Sequence, residues 1–133
     1  MDTKQILQSQ YLAALAMLKQ AIVKCPPEAW NNSQDKDKGY PRWEQRLHAN
    51  PGIPFSKEEI LERFAMVERD VAEQIPIMNL NEKTGATGHL ANKLELQIYN
   101  IRHIQQHTGE LYEKLSAYPV KLGWASQRYK EQK

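Results

Sequence analysis

The stretch KLELQIYNIRHIQQHTGELYEKL, residues 93–115, decides the fold expected of this chain. Its apolar side chains recur at the spacing of an amphipathic α-helix, and they form a broad arc opposite a charged and polar face. The apolar positions are Leu94, Ile98, Ile101, Ile104, Leu111 and Leu115. We therefore predict one long helix from about residue 92 to about residue 117, with its apolar arc facing a core.

Two earlier segments also predict long helices. Between Lys4 and Lys24, apolar residues recur at three- and four-residue spacing and no residue breaks a helix. The second helix should begin at Ser56, where Ser56-Lys-Glu-Glu59 is a capping box, and end before Pro76, because proline disfavours helix at the preceding residue. The fold class predicted is all-α, an up-and-down bundle with three long helices.

Size and composition limit the functions to consider. A chain of 133 residues predicts a single helical domain over residues 1–133, with an irregular segment at 26–55. A net charge of +2 gives no reason to propose nucleic acid. No apolar run reaches the roughly 20 residues that cross a bilayer, and the start of the chain lacks the apolar core of a signal peptide. A cytoplasmic protein without membrane contacts is expected.

Aromatic side chains should fasten the parts of the chain outside the long helices. Trp30, Tyr40 and Trp43 are expected to pin the irregular segment to the helices, and Trp124 is expected to dock the tail. Cys25 stands alone, just before Pro26 and Pro27, so it is interpreted as a packing residue that closes the first helix. Neither a cysteine nucleophile nor a Gly-x-Ser-x-Gly serine site is indicated.

His103 and His107 are the candidates for chemistry. They are four residues apart on the predicted long helix, so their imidazoles share one face. Two such rings can converge on one divalent cation, and helical bundles build metal sites from side chains of this kind. The alternative is that two histidines at the edge of the apolar arc cover apolar surface and keep one nitrogen in water.

The chain resembles the DinB-like (DinB/YfiT) superfamily. The resemblance rests on residues 11–19, YLAALAMLK, on CPPEAW at 25–30, on the capped helix from Ser56, and above all on residues 93–111. It covers nearly the whole chain apart from the residues that follow Trp30. It implies an up-down-up-down four-helix bundle that binds a divalent metal, nickel or zinc, through three histidines. By this resemblance His103 and His107 are the late-helix pair of that metal site.

The sequence departs from this family after Trp30, where the second bundle helix and its histidine should lie. Instead a polar run leads into Tyr40-Pro-Arg-Trp43, as if the second helix were deleted. The third ligand is left open between His48 and Glu110, which is one turn beyond His107. His89 should lie too far away, since fourteen helical residues span roughly 20 Å.

The resemblance to this family and the missing second helix together suggest two functions. The first is a DinB-like metal-dependent hydrolase or thiol S-transferase acting on a small-molecule or thiol substrate, with an impaired metal site and little turnover. The second is a non-catalytic bundle that acts through homo-oligomerisation. A homodimer is expected in either case, because a missing helix would leave apolar faces uncovered and a long connection allows helices to be exchanged.

Overall fold

The computed structural model describes residues 1–30, 55–85 and 89–128. Three long helices dominate, as predicted: α1 at Thr3–Lys24, α3 at Lys57–Gln74 and α4 at Lys93–Leu115. A short helix α2 at Pro27–Trp30 and a 3-10 turn at Ile75–Ile77 complete the helical elements of these ranges. The described residues include no β-strand, so the all-α class is confirmed for them.

The start of α1 is fixed by a capping box at Asp2 that the sequence interpretation missed. Asp2 Oδ1 accepts a hydrogen bond from the Gln5 backbone N–H at 2.9 Å, and Gln5 Oε1 accepts one from the Asp2 N–H at 2.9 Å. Two of the backbone N–H groups that a helix start leaves unpaired are thereby satisfied. At the other end Cys25 turns extended before Pro26, which confirms its predicted role in closing the helix.

Polar caps also start α3 and α4. Ser56 Oγ accepts from the Glu59 N–H at 3.2 Å, but the Glu59 carboxylate receives the serine hydroxyl, also at 3.2 Å, so only half of the predicted box forms. Asn92 Oδ1 accepts from the Glu95 N–H at 3.0 Å. These side chains explain why both helices begin within one residue of the predicted position.

Helix α1 is the common partner of the other two long helices. Near its start, Gln8 Nε2 donates to the carbonyl of Ala72 at 2.9 Å, while Lys57 Nζ donates to the carbonyl of Val23 at 3.1 Å. The start of α1 therefore lies beside the end of α3, and the two helices are antiparallel. The apolar core that they share contains Leu7, Tyr11, Leu15, Ile22, Phe64, Val71, Ile75 and Leu80.

Helix α4 runs parallel to α1. Asn100 hydrogen-bonds Tyr11, and further along both helices Gln105 Nε2 donates to Met17 Sδ at 3.7 Å. In chain order, the three long helices therefore point up, down and up. These alternating directions agree with the predicted up-and-down arrangement.

The buried face of α4 differs from the predicted apolar arc. Ile98 is 47% exposed and Leu111 is 37% exposed, whereas Gln97 and Thr108 are buried. The buried and half-buried residues of α4 include Leu94, Ile101, Thr108 and Leu115, whose spacing of seven is that of the seam between two aligned helices. The predicted arc is therefore covered only in part, since Leu94, Ile101, Ile104 and Leu115 are buried or half-buried while Ile98 and Leu111 are exposed.

The predicted irregular segment at 26–55 begins with the single helical turn of α2. Residues 31–54, including Tyr40, Trp43 and His48, lie outside the described residues. Trp30 Nε1 donates to the Phe55 carbonyl at 2.9 Å, so the two ends of this segment are held side by side, as the pinning role of Trp30 predicts.

The chain beyond α4 lies along α1 as an extended segment, residues 120–128, which we call the C-terminal strap. Its backbone is hydrogen-bonded to helix side chains as far as Arg128. The expectation that Trp124 docks was wrong, because its side chain is 75% exposed. None of the helices in the described ranges has the length and apolar character needed to cross a bilayer.

Candidate metal-binding site

His103 and His107 lie on successive turns of α4 with their rings facing each other. The two Nε2 atoms are 2.9 Å apart, and the ring centroids are 4.6 Å apart at an interplanar angle of 56°. Helical spacing alone brings the side chains together, and their rotamers turn the same nitrogen of each ring toward the other. The predicted adjacency of the pair is confirmed.

This separation suits two ligands of one metal ion. Two imidazole nitrogens bound to Zn²⁺ at their usual distance lie about 2.9–3.4 Å apart for coordination angles between octahedral and tetrahedral. The observed 2.9 Å falls at the lower end of that interval. Without an ion, one Nε2–H donates to the other Nε2, so metal binding must displace that proton.

Glu110 lies at the opposite nitrogen of His107. Its Oε2 is 3.4 Å from His107 Nδ1, and both side chains are roughly half exposed. A carboxylate at Nδ1 favours the tautomer with the proton on that atom, which leaves the Nε2 lone pair free for a metal. The role of Glu110 as third ligand stays a prediction.

A shallow, open groove begins beside His103 on the solvent side of α4. Tyr99, one turn before His103, holds its ring 5.9 Å from the imidazole. Arg102, Gln105 and Gln106 line the rest of the groove. Sequence reasoning overlooked Tyr99, although its spacing of four residues from His103 was the available signal. These side chains provide hydrogen-bond donors and one positive charge next to the histidine pair.

A complete three-ligand centre is not present in the described ranges, where no group of three histidine, cysteine, aspartate or glutamate side chains is arranged to hold a metal. His48, a proposed third ligand, belongs to residues 31–54 and is therefore outside these ranges. His89 is exposed in the turn ahead of α4. The sequence-predicted residues that the structure brings together are thus His103, His107 and Glu110.

Cys25 is arranged for structure and not for nucleophilic chemistry. Its thiol lies 3.6 Å from the carbonyl of Pro26 at the end of α1. Burial raises the pKa of the Cys25 thiol, and the nearby Lys57 ammonium only partly opposes that effect. Because the reactive form of cysteine is the thiolate, a raised pKa makes Cys25 a poor nucleophile near neutral pH.

Comparison with known proteins gave no match to a family model, to a curated protein or to a solved structure. The resemblance to DinB-like proteins therefore rests on the residues quoted above. The function proposed below is therefore based on the geometry of the histidine pair on α4.

Proposed function

We propose that this chain is a DinB-like helical protein that binds one divalent ion, nickel or zinc, through His103 and His107. The supporting observation is the 2.9 Å separation of their Nε2 atoms, with Glu110 Oε2 3.4 Å from the Nδ1 atom of His107. Two histidines at this spacing on one helix bind an ion with little further loss of side-chain freedom, since the helix already holds them together.

The affinity of this site is expected to be weak. Two protein ligands leave the other coordination positions to water, and catalytic zinc sites ordinarily have three protein ligands. The pair is also open to solvent: His103 is exposed and the side chain of His107 retains 41% of its exposure. An exposed ion gains less from each ligand, because water competes for the same positions.

The chemistry proposed for an occupied site is that of a metal-dependent hydrolase or thiol S-transferase. Open coordination positions let an ion polarise a substrate atom or lower the pKa of a bound water or thiol. The open groove lined by Tyr99, Arg102 and Gln106 adjoins His103, so a small molecule would be proposed to approach the ion from this side. Turnover is expected to be low, since efficient catalysis needs a fixed coordination sphere and a shaped cavity.

A non-catalytic bundle that acts through homo-oligomerisation is the second candidate. It is favoured by the number of large apolar side chains on the described surface, where Met66 is 60% exposed, Ile77 is 75% exposed and Ile98 is 47% exposed. Apolar patches on a protein surface commonly mark interfaces. This function does not require an occupied metal site.

The metal proposal is tested by thermal unfolding of wild-type, His103→Ala, His107→Ala and His89→Ala chains, each with a chelator and with Zn²⁺ or Ni²⁺. An ion that binds only the folded state raises its melting temperature. We expect that rise in wild-type chain and in the His89→Ala control, and its loss in the other two variants. If His103→Ala and His107→Ala changed the melting temperature as much in the presence of chelator as in the presence of metal, the two histidines would be packing residues. That result would overturn the proposal.

A further inference from the structure

The rings of His103 and His107 are turned toward a common point and not directly at each other. Their Nε2 atoms are 2.9 Å apart, while their centroids are 4.6 Å apart. A straight N–H···N bond of that length would place the centroids about 5.2 Å apart, because a ring nitrogen lies about 1.15 Å from its centroid. Each ring is therefore turned away from the line that joins the two nitrogens, and the hydrogen bond between them is bent.

The lone-pair directions of the two Nε2 atoms converge. Nε2 is the ring nitrogen farther from the backbone, so both directions lead away from α4 on the same side. For a symmetric pair with the observed separations, they meet about 2 Å from each nitrogen, the usual metal–imidazole bond length, at an angle of about 95°. The 56° between the ring planes is a rotation about these directions and leaves the meeting point unchanged.

This angle distinguishes between divalent ions. Neighbouring ligands of an octahedral or square-planar ion stand at right angles, whereas a tetrahedral zinc ion needs about 109°. At the same bond length, tetrahedral coordination would require the two nitrogens to move apart by about 0.4 Å. Cu²⁺ and Ni²⁺ favour square-planar, tetragonal or octahedral arrangements of nitrogen and oxygen ligands. The geometry of the pair thus suits these ions better than it suits zinc.

The ligand chemistry agrees with the angle. His103 is exposed and the side chain of His107 retains 41% of its exposure, so water can fill the remaining positions. For nitrogen and oxygen ligands, the affinity of divalent ions rises from nickel to copper and falls again at zinc. Within the described ranges no cysteine joins the pair in a group of possible ligands, so no thiolate alters this order.

We propose that the pair binds Cu²⁺ in preference to Ni²⁺, and Ni²⁺ in preference to Zn²⁺, with the Nε2 atoms of His103 and His107 as neighbouring ligands at a right angle and water in the other positions. This inference rests on the proposed function, which names the two ligands, and adds the coordination geometry and the order of ions. Zinc binds least tightly because its tetrahedral angle requires the two rings to separate.

The order of affinities is tested in a full-length variant with His48→Ala, His89→Ala and Cys25→Ser, which keeps the pair as its only histidines and has no thiol to reduce Cu²⁺. The matched control carries Cys25→Ser with His103→Ala and His107→Ala, so it keeps the other two histidines. Competition with a chelator measures the dissociation constants. We expect Cu²⁺ to bind the first variant at least about tenfold more tightly than Zn²⁺, with Ni²⁺ between them, and to bind the control more weakly by a similar factor.

Electron paramagnetic resonance of the Cu²⁺-loaded variant reads the geometry. We expect an axial spectrum with the splitting of two equatorial nitrogen nuclei, and of one nitrogen nucleus after the further substitution His107→Ala. Zinc bound as tightly as copper, or a copper spectrum typical of tetrahedral distortion, would overturn the inference and leave the proposed sharing of one ion in place. Failure of all three ions to bind would contradict both proposals.

Discussion

Thr108 lies next to His107 in sequence, but its side chain is 0% exposed and its hydroxyl has no hydrogen-bond partner within the described residues. A buried hydroxyl without a partner loses its hydration and gains nothing in return. Thr108→Val keeps the shape and removes the polar atom. We expect its free energy of unfolding to rise by on the order of 1 kcal/mol in urea denaturation.

Thr108→Ser is the matched control for that substitution. It keeps the hydroxyl and removes the buried methyl group, so it should lower stability by about 0.8 kcal/mol. A loss of stability in both variants would mean that the Thr108 hydroxyl has a stabilising partner, and the stated reason for the gain would be wrong.

Tyr11 gives the fold a dependence on alkaline pH. Burial raises the pKa of Tyr11, and its hydrogen bond with Asn100 opposes this effect only in part. The unfolded chain ionises at the ordinary tyrosine pKa of about 10, so above that pH it loses the proton before the folded chain does. The folded state then binds more protons than the unfolded state, and its stability falls as pH rises.

Tyr11→Phe should remove this contribution to the pH dependence. The variant is expected to be less stable than wild type near pH 7, where it lacks the hydrogen bond, and to lose less stability between about pH 9 and about pH 11. Urea unfolding across that interval measures both effects. Parallel stability curves for the two chains would contradict the account of Tyr11.

At the scale of the elements, Gly109 is a weak point in α4 between His107 and Glu110. A Cβ atom added at Gly109 meets no atom within 4 Å, and the position is exposed. Gly109→Ala should therefore stabilise the protein by about 1 kcal/mol, the usual difference in helix propensity. Gly85→Ala is the control, because the φ of Gly85 is 58° and alanine is strained there. Equal effects of the two substitutions would contradict this reasoning.

The limits of the long helices could be predicted because local residues set them. Ser56, Asn92 and Pro26 act through their own backbone neighbours, and such short-range chemistry is visible in sequence. The buried face of α4 could not be predicted in the same way. Ile98 and Leu111 are as apolar as their buried neighbours, and only the direction in which α1 approaches decides which residues it covers.

The candidate site shows the same division between local and tertiary information. The adjacency of His103 and His107 follows from helical spacing and was predicted correctly. The position of Glu110 at Nδ1 of His107 depends on side-chain rotamers, which spacing does not specify. A third ligand depends on how distant segments meet, so His48 and Glu110 remain predictions for that role. The exposure of Trp124 was missed because the backbone, and not the aromatic ring, attaches the strap.

At the scale of the whole molecule, α1 is the helix against which the other described elements pack. It packs against α3, α4 and the C-terminal strap, so its buried side chains lie on more than one face. The histidine pair lies on an exposed part of α4, away from the seam with α1. Metal binding is therefore expected to add stability to a fold that already forms without it.

The proposal that His103 and His107 share one ion is tested most directly by nitrogen-detected NMR of the four histidine side chains during titration with Zn²⁺. We predict that the Nε2 signals of His103 and His107 shift together and saturate at one ion per chain, while His89 stays unchanged. A simultaneous shift of His48 would identify it as the third ligand. Unchanged signals from His103 and His107, or equal and unsaturated shifts of all the histidines, would contradict a metal site at this pair.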